Sequence, residues 1–198
     1  MIKLDELKDI FEKEAIDYYK NIGREFIIDK DNKRYINLLC SYFSNDEVFE
    51  SNFGGDLRKG LFVFGPVGVG KTSSLEIIRR ISTKYNLKKL WFLRKSTHEI
   101  VSEFNALDKK EITIRKYTKG LVMFDDLGSE IEGSNYGKED IFIRILEMRY
   151  DQFIDKGIKT HITSNYSFHQ LKNRYGERVY DRLKEMFNFL ELSGESRR

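Results

Sequence analysis

The chain is poor in the residues that staple or anchor small folds. Its one cysteine, Cys40, has no partner for a disulfide, and its setting in INLLCSYF reads as a small buried residue. No apolar run approaches the length of a membrane span, and no secretory signal pattern opens the sequence, so a cytoplasmic protein is expected. Neither sign of charge dominates. Against 32 Asp and Glu stand 35 Lys and Arg, a net charge of +3 that permits nucleic-acid binding without arguing for it. Internal repeats and low-complexity tracts are missing as well. What is present, 40% hydrophobic and 34% charged residues in a chain of 198, excludes a disordered polymer and describes a globular protein with a sizeable core.

The single proline, Pro66, sits in GPVGVGKT at residues 65–72, directly after the apolar run LFVF. Gly65, Gly70, Lys71 and Thr72 fit G-x-x-x-x-G-K-[ST], a loop whose backbone N–H groups wrap phosphate oxygens. A strand ending at Phe64 feeds the loop, and Thr72 opens a helix carrying Leu75, Ile78 and Ile81. That strand–loop–helix context separates a phosphate loop from an ordinary βα turn. Gly65, Pro66, Val67, Gly68, Val69, Gly70, Lys71, Thr72 and Ser73 form the candidate cradle for ATP. In it the glycines let the backbone approach the anion, and Pro66 stiffens the loop. Lys71 reaches the β- and γ-phosphates, and the Thr72 hydroxyl holds Mg²⁺. The helix N-terminus adds a partial positive charge.

Upstream, LKDIFEKEAIDYY places Leu7, Phe11, Ala15 and Tyr18 on one helical stripe, and DNKRYINLLCSYF turns Ile36, Leu39, Cys40 and Phe43 inward. SNFGGDLRKG reads as a loop. From residue 61 short β-rich runs (LFVF, LWFL, LVMF, THIT, NFLEL) alternate with helical patterns at 72–85, 96–107, 138–156 and 168–186. Such alternation predicts a parallel sheet with crossover helices. GSEIEGSNYGK, around residue 133, is the clearest flexible loop after the glycine-rich one. The expected division is a helical extension over residues 1–58 and a nucleotide-binding core over 59–198.

LVMFDDLG puts Asp125 and Asp126 at the C-terminal end of an apolar strand, the edge where open parallel sheets bind ligands. In the pattern of a Walker B motif, Asp125 belongs to the Mg²⁺ shell through water and Asp126 orients the attacking water. Asp126 is one methylene shorter than the Glu common at this position, so water must sit closer or the site must tighten. The next strand, HITSN, ends in Asn165. If that strand lies between the other two, the Asn165 amide points at the γ-phosphate and water, where it can both donate and accept.

GPVGVGKT, LVMFDDLG, THITSN and YGERVYDRL together resemble the DnaC/DnaI/IstB group of AAA+ ATPases over residues 60–198. The resemblance implies an α/β P-loop NTPase, a three-layer sandwich with a five-stranded parallel sheet of order 5-1-4-3-2 and no helical lid. It implies Mg²⁺-dependent ATP hydrolysis and assembly into an ATP-bridged oligomer. By position in GERVYDRL, Arg182 matches the arginine that reaches a neighbouring subunit's ATP, with Arg178 one turn earlier as its companion; alternatively both pair with Glu177, Asp181 or Glu185 on their own helix. GESRR resembles the group's G-x-S-x-R, which makes Arg198 a phosphate-contacting residue. Arg149 falls on the apolar stripe of Phe142, Leu146 and Phe153. Either it pairs with a carboxylate near the site, or its stem packs while its head snorkels to solvent, the slightly favoured reading.

Between the second strand and the acidic strand lies RKSTHEIVSEFNALDKKEITIRKYTKG, which related initiators and loaders use to line a pore for single-stranded DNA. Arg94, Lys95, Lys109, Lys110, Arg115, Lys116 and Lys119 give it positive character; Tyr117 or Phe104 can stack on a base, although Phe104 suits a core, and the charge run can equally be a solvated face. The expected function is an ATP-dependent replicative helicase loader holding a helicase and single-stranded DNA. The alternatives are an IstB-like transposition helper that binds duplex DNA and recruits a transposase, and a non-catalytic ATP-bound scaffold.

Overall fold

Five parallel strands, β1 (Gly60–Phe64), β2 (Leu93–Ser96), β3 (Val122–Leu127), β4 (Thr160–Ser164) and β5 (Phe187–Glu191), form one sheet in the order β2-β3-β4-β1-β5. Read from the other edge this is 5-1-4-3-2, and β4 lies between β1 and β3 as the asparagine argument requires. The computed structural model describes residues 2–106, 110–130, 133–134 and 138–198, with backbone alone at Gly133, Ser134, Lys138, Glu139 and Phe168. Lys109 and much of the loop around residue 133 therefore lie outside the described residues. Among the described residues no helix is long and apolar enough to cross a membrane.

β1 and the first half of β3 are short apolar runs, and THITS of β4 is buried throughout, because both faces of the central strands are covered. Phe62 pairs with Ile162 across β1 and β4, Phe124 with Ile162 across β3 and β4, and all three are fully buried. His161, next to Ile162 and so on the opposite face of the sheet, has its Nδ1 accepting the Leu61 N–H at 3.1 Å. Burial pushes this imidazole down to about 3, which keeps it neutral and able to accept. On the β2 side the expectation shifts. LWFL was expected as a strand, but Lys88–Leu90 forms a 3₁₀ turn and pairing with β3 starts at Leu93↔Val122, ending at Ser96↔Asp125. The run is apolar because Leu90 and Phe92 are buried before the ladder begins, while the paired edge strand itself is the polar LRKS.

Two units pack internally, residues 1–57 with 65–91 and 190–198, and residues 58–64 with 92–189. In the first, α1 (Leu4–Lys20) packs on α2 (Lys33–Ser44) and on α4 (Lys71–Lys84). Leu7, Phe11 and Ala15 are buried as the stripe predicts, but Tyr19 completes it in place of Tyr18. The stretch 51–60 is less loop-like than expected, since α3 (Val48–Phe53) takes its start and β1 its last residue.

In the second unit α5 (Thr97–Ala106), α6 (Lys110–Tyr117), α7 (Ile141–Lys156) and α8 (Phe168–Met186) accompany the strands. Helix α7 begins where the Asp140 carboxylate accepts the Phe142 N–H, and α8 begins at a capping box in which Ser167 and Gln170 exchange side-chain and backbone bonds. Gly176, at φ 83°, breaks α8 into two helical pieces.

Arg149 of α7 follows neither expected course. It is fully buried, and its guanidinium donates to Thr160 Oγ1 at 2.8 Å, to the Gly120 carbonyl at 2.8 Å and to the Lys159 carbonyl at 2.6 Å. No carboxylate is among these bonds, and the head does not snorkel. The five donors of a planar guanidinium let one side chain close the loop ends before β3 and β4.

Candidate functional site

The glycine-rich loop follows β1 without a break. Gly65 holds φ 147°, and a side chain there would meet the Leu192 carbonyl oxygen at 2.0 Å, so the close approach demands glycine. Helix α4 opens at Lys71 with no side-chain cap, leaving its N-terminal amides and partial positive charge for an anion. The Lys71 side chain is almost fully buried, and its Nζ donates to the carbonyls of Gly65 at 2.8 Å and Pro66 at 2.7 Å. A helix start facing a loop that already encloses an ammonium fits a phosphate group. Behind it the Ser74 and Tyr35 hydroxyls bond at 2.6 Å, tying α4 to α2.

The C-terminal tail lies on this loop. Ser196 occupies the space a side chain at Gly68 would need, the Arg197 N–H donates to the Gly68 carbonyl at 3.0 Å, and the Arg197 guanidinium grips Asp29 at 2.8 and 2.9 Å. Arg198 is exposed, with its N–H directed at Ser196 Oγ at 3.4 Å. Sequence reasoning named Arg198, because the spacing of G-x-S-x-R puts its arginine there, and passed over Arg197.

At the end of β3, Asp125 is buried and its two oxygens are separately engaged. Oδ2 accepts from Arg94 at 2.6 and 3.2 Å, and Oδ1 accepts from the Thr163 hydroxyl at 2.6 Å. A cation therefore already faces this carboxylate, which fits the chemistry of a metal-bound aspartate. Among the described residues no group of three or more His, Cys, Asp or Glu stands ready to hold a metal. Mg²⁺ needs no such cage, because it keeps water and takes one or two protein oxygens beside phosphate, and the Asp125 carboxylate is an oxygen ligand of that kind.

Asp126 occupies a register shift between Phe124 and Leu127 and has φ 60°, a left-handed backbone. Its N–H donates to Thr163 Oγ1 at 3.0 Å, and its carbonyl accepts from Thr97 at 3.1 Å and from Ser129 Oγ at 2.6 Å. Those bonds hold a conformation that Asp tolerates better than most residues, a reason for the short carboxylate that spacing alone did not offer. Asn165 follows β4 directly and is exposed, while Ser164 donates to the Leu127 carbonyl at 2.6 Å. Thr163 and Ser164 thus lock the ends of β3 and β4 together, so the asparagine follows a strand end of fixed register.

Beyond Asp126, the buried Glu130 carboxylate accepts from the Gly128 N–H at 2.7 Å and from the Tyr175 hydroxyl. Burial, reinforced by Glu130, pushes the Tyr175 phenol up and keeps it a donor. On the second piece of α8, Arg182 and Arg178 share Glu147 of α7, at 3.0 and 3.3 Å. The Arg178 side chain is 75% exposed; that of Arg182 is 20% exposed and lies over the Tyr150 ring. The carboxylate they share is on the neighbouring helix, not on their own as the bland alternative assumed.

The basic segment is the clearest departure. Phe104 and Tyr117 are fully buried, and the Tyr117 hydroxyl donates to Glu103 at 2.6 Å, so neither ring is offered to a base. Arg94 faces Asp125, Lys116 meets Glu103 at 2.7 Å, Arg115 meets Glu111 at 3.5 Å and Lys95 meets Glu99 at 3.8 Å. Arg115 and Glu111 stand four apart on α6 and share its face, whereas Arg94 and Lys116 meet carboxylates that only the fold brings near.

A parallel sheet of this order with a glycine-rich loop after β1 is the α/β fold of P-loop NTPases. Several solved structures share that fold. One is the crystal structure of DnaI, at 21% identity and a TM-score of 0.59, covering 84% of this chain and 87% of that one. Another is the DnaC helicase loader, at 20% identity and a TM-score of 0.60, covering 92% and 98%. AMPPCP-bound DnaA from Aquifex aeolicus follows at 17% and 0.57, covering 84% of this chain and 48% of that one. At such identities the likeness is one of fold. No protein-family model matches the chain, and no curated protein matches it in sequence.

Proposed function

We propose that the protein is an ATP-dependent helicase loader of DNA replication, binding and hydrolysing ATP between protomers of a cytoplasmic oligomer that holds single-stranded DNA and a replicative helicase. The observation that supports it most is the sheet order. The phosphate loop, the two aspartates and the asparagine follow the C-terminal ends of β1, β3 and β4, adjacent strands of one parallel sheet. The fold shared with DnaI and the DnaC helicase loader supports the choice of partner.

In this reading Lys71 exchanges its loop carbonyls for the β- and γ-phosphate oxygens, within the backbone cradle of Gly65–Ser73. Thr72 and Asp125 are the residues that would hold Mg²⁺, and its charge would offset that of the phosphates. Asp126, set by its left-handed backbone, orients the attacking water, and Asn165 fixes the water from the neighbouring strand end. Arg182 leaves Glu147 to reach the ATP of the adjacent protomer, Arg178 accompanies it, and Arg198 contacts phosphate from the tail. A guanidinium arriving at the γ-phosphate is worth about 10³–10⁵ in rate where it acts this way.

Turnover with single-stranded DNA and helicase present tests the proposal. Asp126→Asn keeps nucleotide affinity and stops hydrolysis, and Arg182→Ala keeps monomer affinity and loses the assembly-dependent rate. A wild-type protein that binds ATP yet never turns it over would make the chain a scaffold and end the enzymatic reading.

A further inference from the structure

A cavity of about 540 Å³ opens between α1, α2 and α3, and all of its lining lies within residues 4–52. Lys8, Lys30, Lys33 and Arg34 line it, no carboxylate does, and the amides of Asn37 and Asn52 add neutral polar groups. Among the described residues, Lys30, Lys33 and Arg34 make no ion pair and no side-chain hydrogen bond, whereas Lys8 meets the exposed Asp5 at 3.7 Å. Asp29, beside Lys30 in the chain, is taken by Arg197.

The position of these cations is unfavourable for the fold alone. Lys33 and Arg34 stand in the first turn of α2, where the helix dipole favours anions, and that turn holds no acidic residue. Asn32 does not cap the helix; its side chain accepts from the Asp29 N–H and donates to the Ile27 carbonyl. Three cations around the start of α2, Lys30, Lys33 and Arg34, are answered by no charged group among the described residues, so an external anion is the missing partner.

We propose that this groove binds the sugar–phosphate backbone of a single nucleic-acid strand. Lysine, arginine and asparagine are phosphate-contacting side chains, and they position a strand without reading its sequence. The groove has the volume of a small-ligand pocket, which admits one backbone, while a duplex would lie across its mouth. No aromatic ring lines it, so the bases face outward and binding is sequence-independent. The inference extends the nucleic-acid part of the proposed function and does not rest on the ATPase part.

The test is anisotropy of a labelled oligothymidine with the full chain, no nucleotide added, over a range of salt. For wild type, four neutralised phosphates give a slope of log K against log salt of about −3. The K30A/K33A/R34A variant weakens binding by about tenfold or more at physiological salt and flattens the slope by about 2 units, while K88A/K89A, exposed and outside the groove, binds as wild type. K33Q/R34Q serves as a milder variant, and unchanged circular dichroism certifies both. The proposal is overturned if wild type ignores the oligothymidine, if duplex is preferred, or if the triple variant binds as wild type. It is equally overturned if the variant loses only polyglutamate binding, which would make the groove a seat for an acidic protein segment. ATP titration of the same preparations separates these outcomes from a failure of the nucleotide site.

Discussion

Two cationic regions of this molecule are in opposite states. Along Arg94–Tyr117, Arg94, Lys95, Arg115 and Lys116 each face a carboxylate, and the aromatic rings between them are buried. Around the start of α2, three cations line a groove with no acidic neighbour in its wall. Both regions are rich in Lys and Arg, so charge content does not separate them. What separates them is whether the fold supplies a counter-charge, and that decides which region has positive charge left for a ligand. Arg149 is a third case, a buried guanidinium met by a hydroxyl and two carbonyls.

The contrast can be broken at each of these points. The largest effect is expected at Arg149, where Leu would leave buried acceptors at Gly120, Lys159 and Thr160 and cost about 3 kcal/mol in urea unfolding. Next, Arg94→Ala strips the buried Asp125 of its guanidinium. The expected loss is about 2 kcal/mol, reduced from the fully buried case because Arg94 is partly exposed. A loss near zero would mean that this segment's cations are as available as those of the groove. Tyr117→Phe, which removes the bond to Glu103, should cost about 1 kcal/mol by the same measurement. The smallest effect has the opposite sign: Lys33→Glu places an anion in the first turn of α2 and should stabilise by about 0.5 kcal/mol. Destabilisation there would show that Lys33 has a partner within the fold.

The parallel sheet was legible because β1 and the first half of β3 are apolar runs, and because GPVGVGKT places its glycines where the backbone must approach closely; its order came from the family resemblance and not from the runs. The boundary of β2 was not, since Leu90 and Phe92 are apolar for burial while hydrogen bonding falls on LRKS. Arg149 escaped for a related reason. Periodicity marked the position as internal, but a one-dimensional pattern does not reveal the ends of neighbouring strands that a guanidinium can bridge. The acidic pair was found by its place at a strand end. Its partners Arg94 and Thr163 come from the two flanking strands, and only the sheet register brings them to Asp125. Tyr117 was offered as a base-stacking ring, yet it shares the buried face of α6 with Thr113 and Ile114, the positions four and three before it.

Calorimetric titration of Mg²⁺ and ATP into the wild-type chain and into Lys71→Ala is the most direct trial of the nucleotide site. Saturable binding by the wild type, abolished when the ammonium is removed, is the predicted result. Equal binding by both proteins, or none by the wild type, would contradict it.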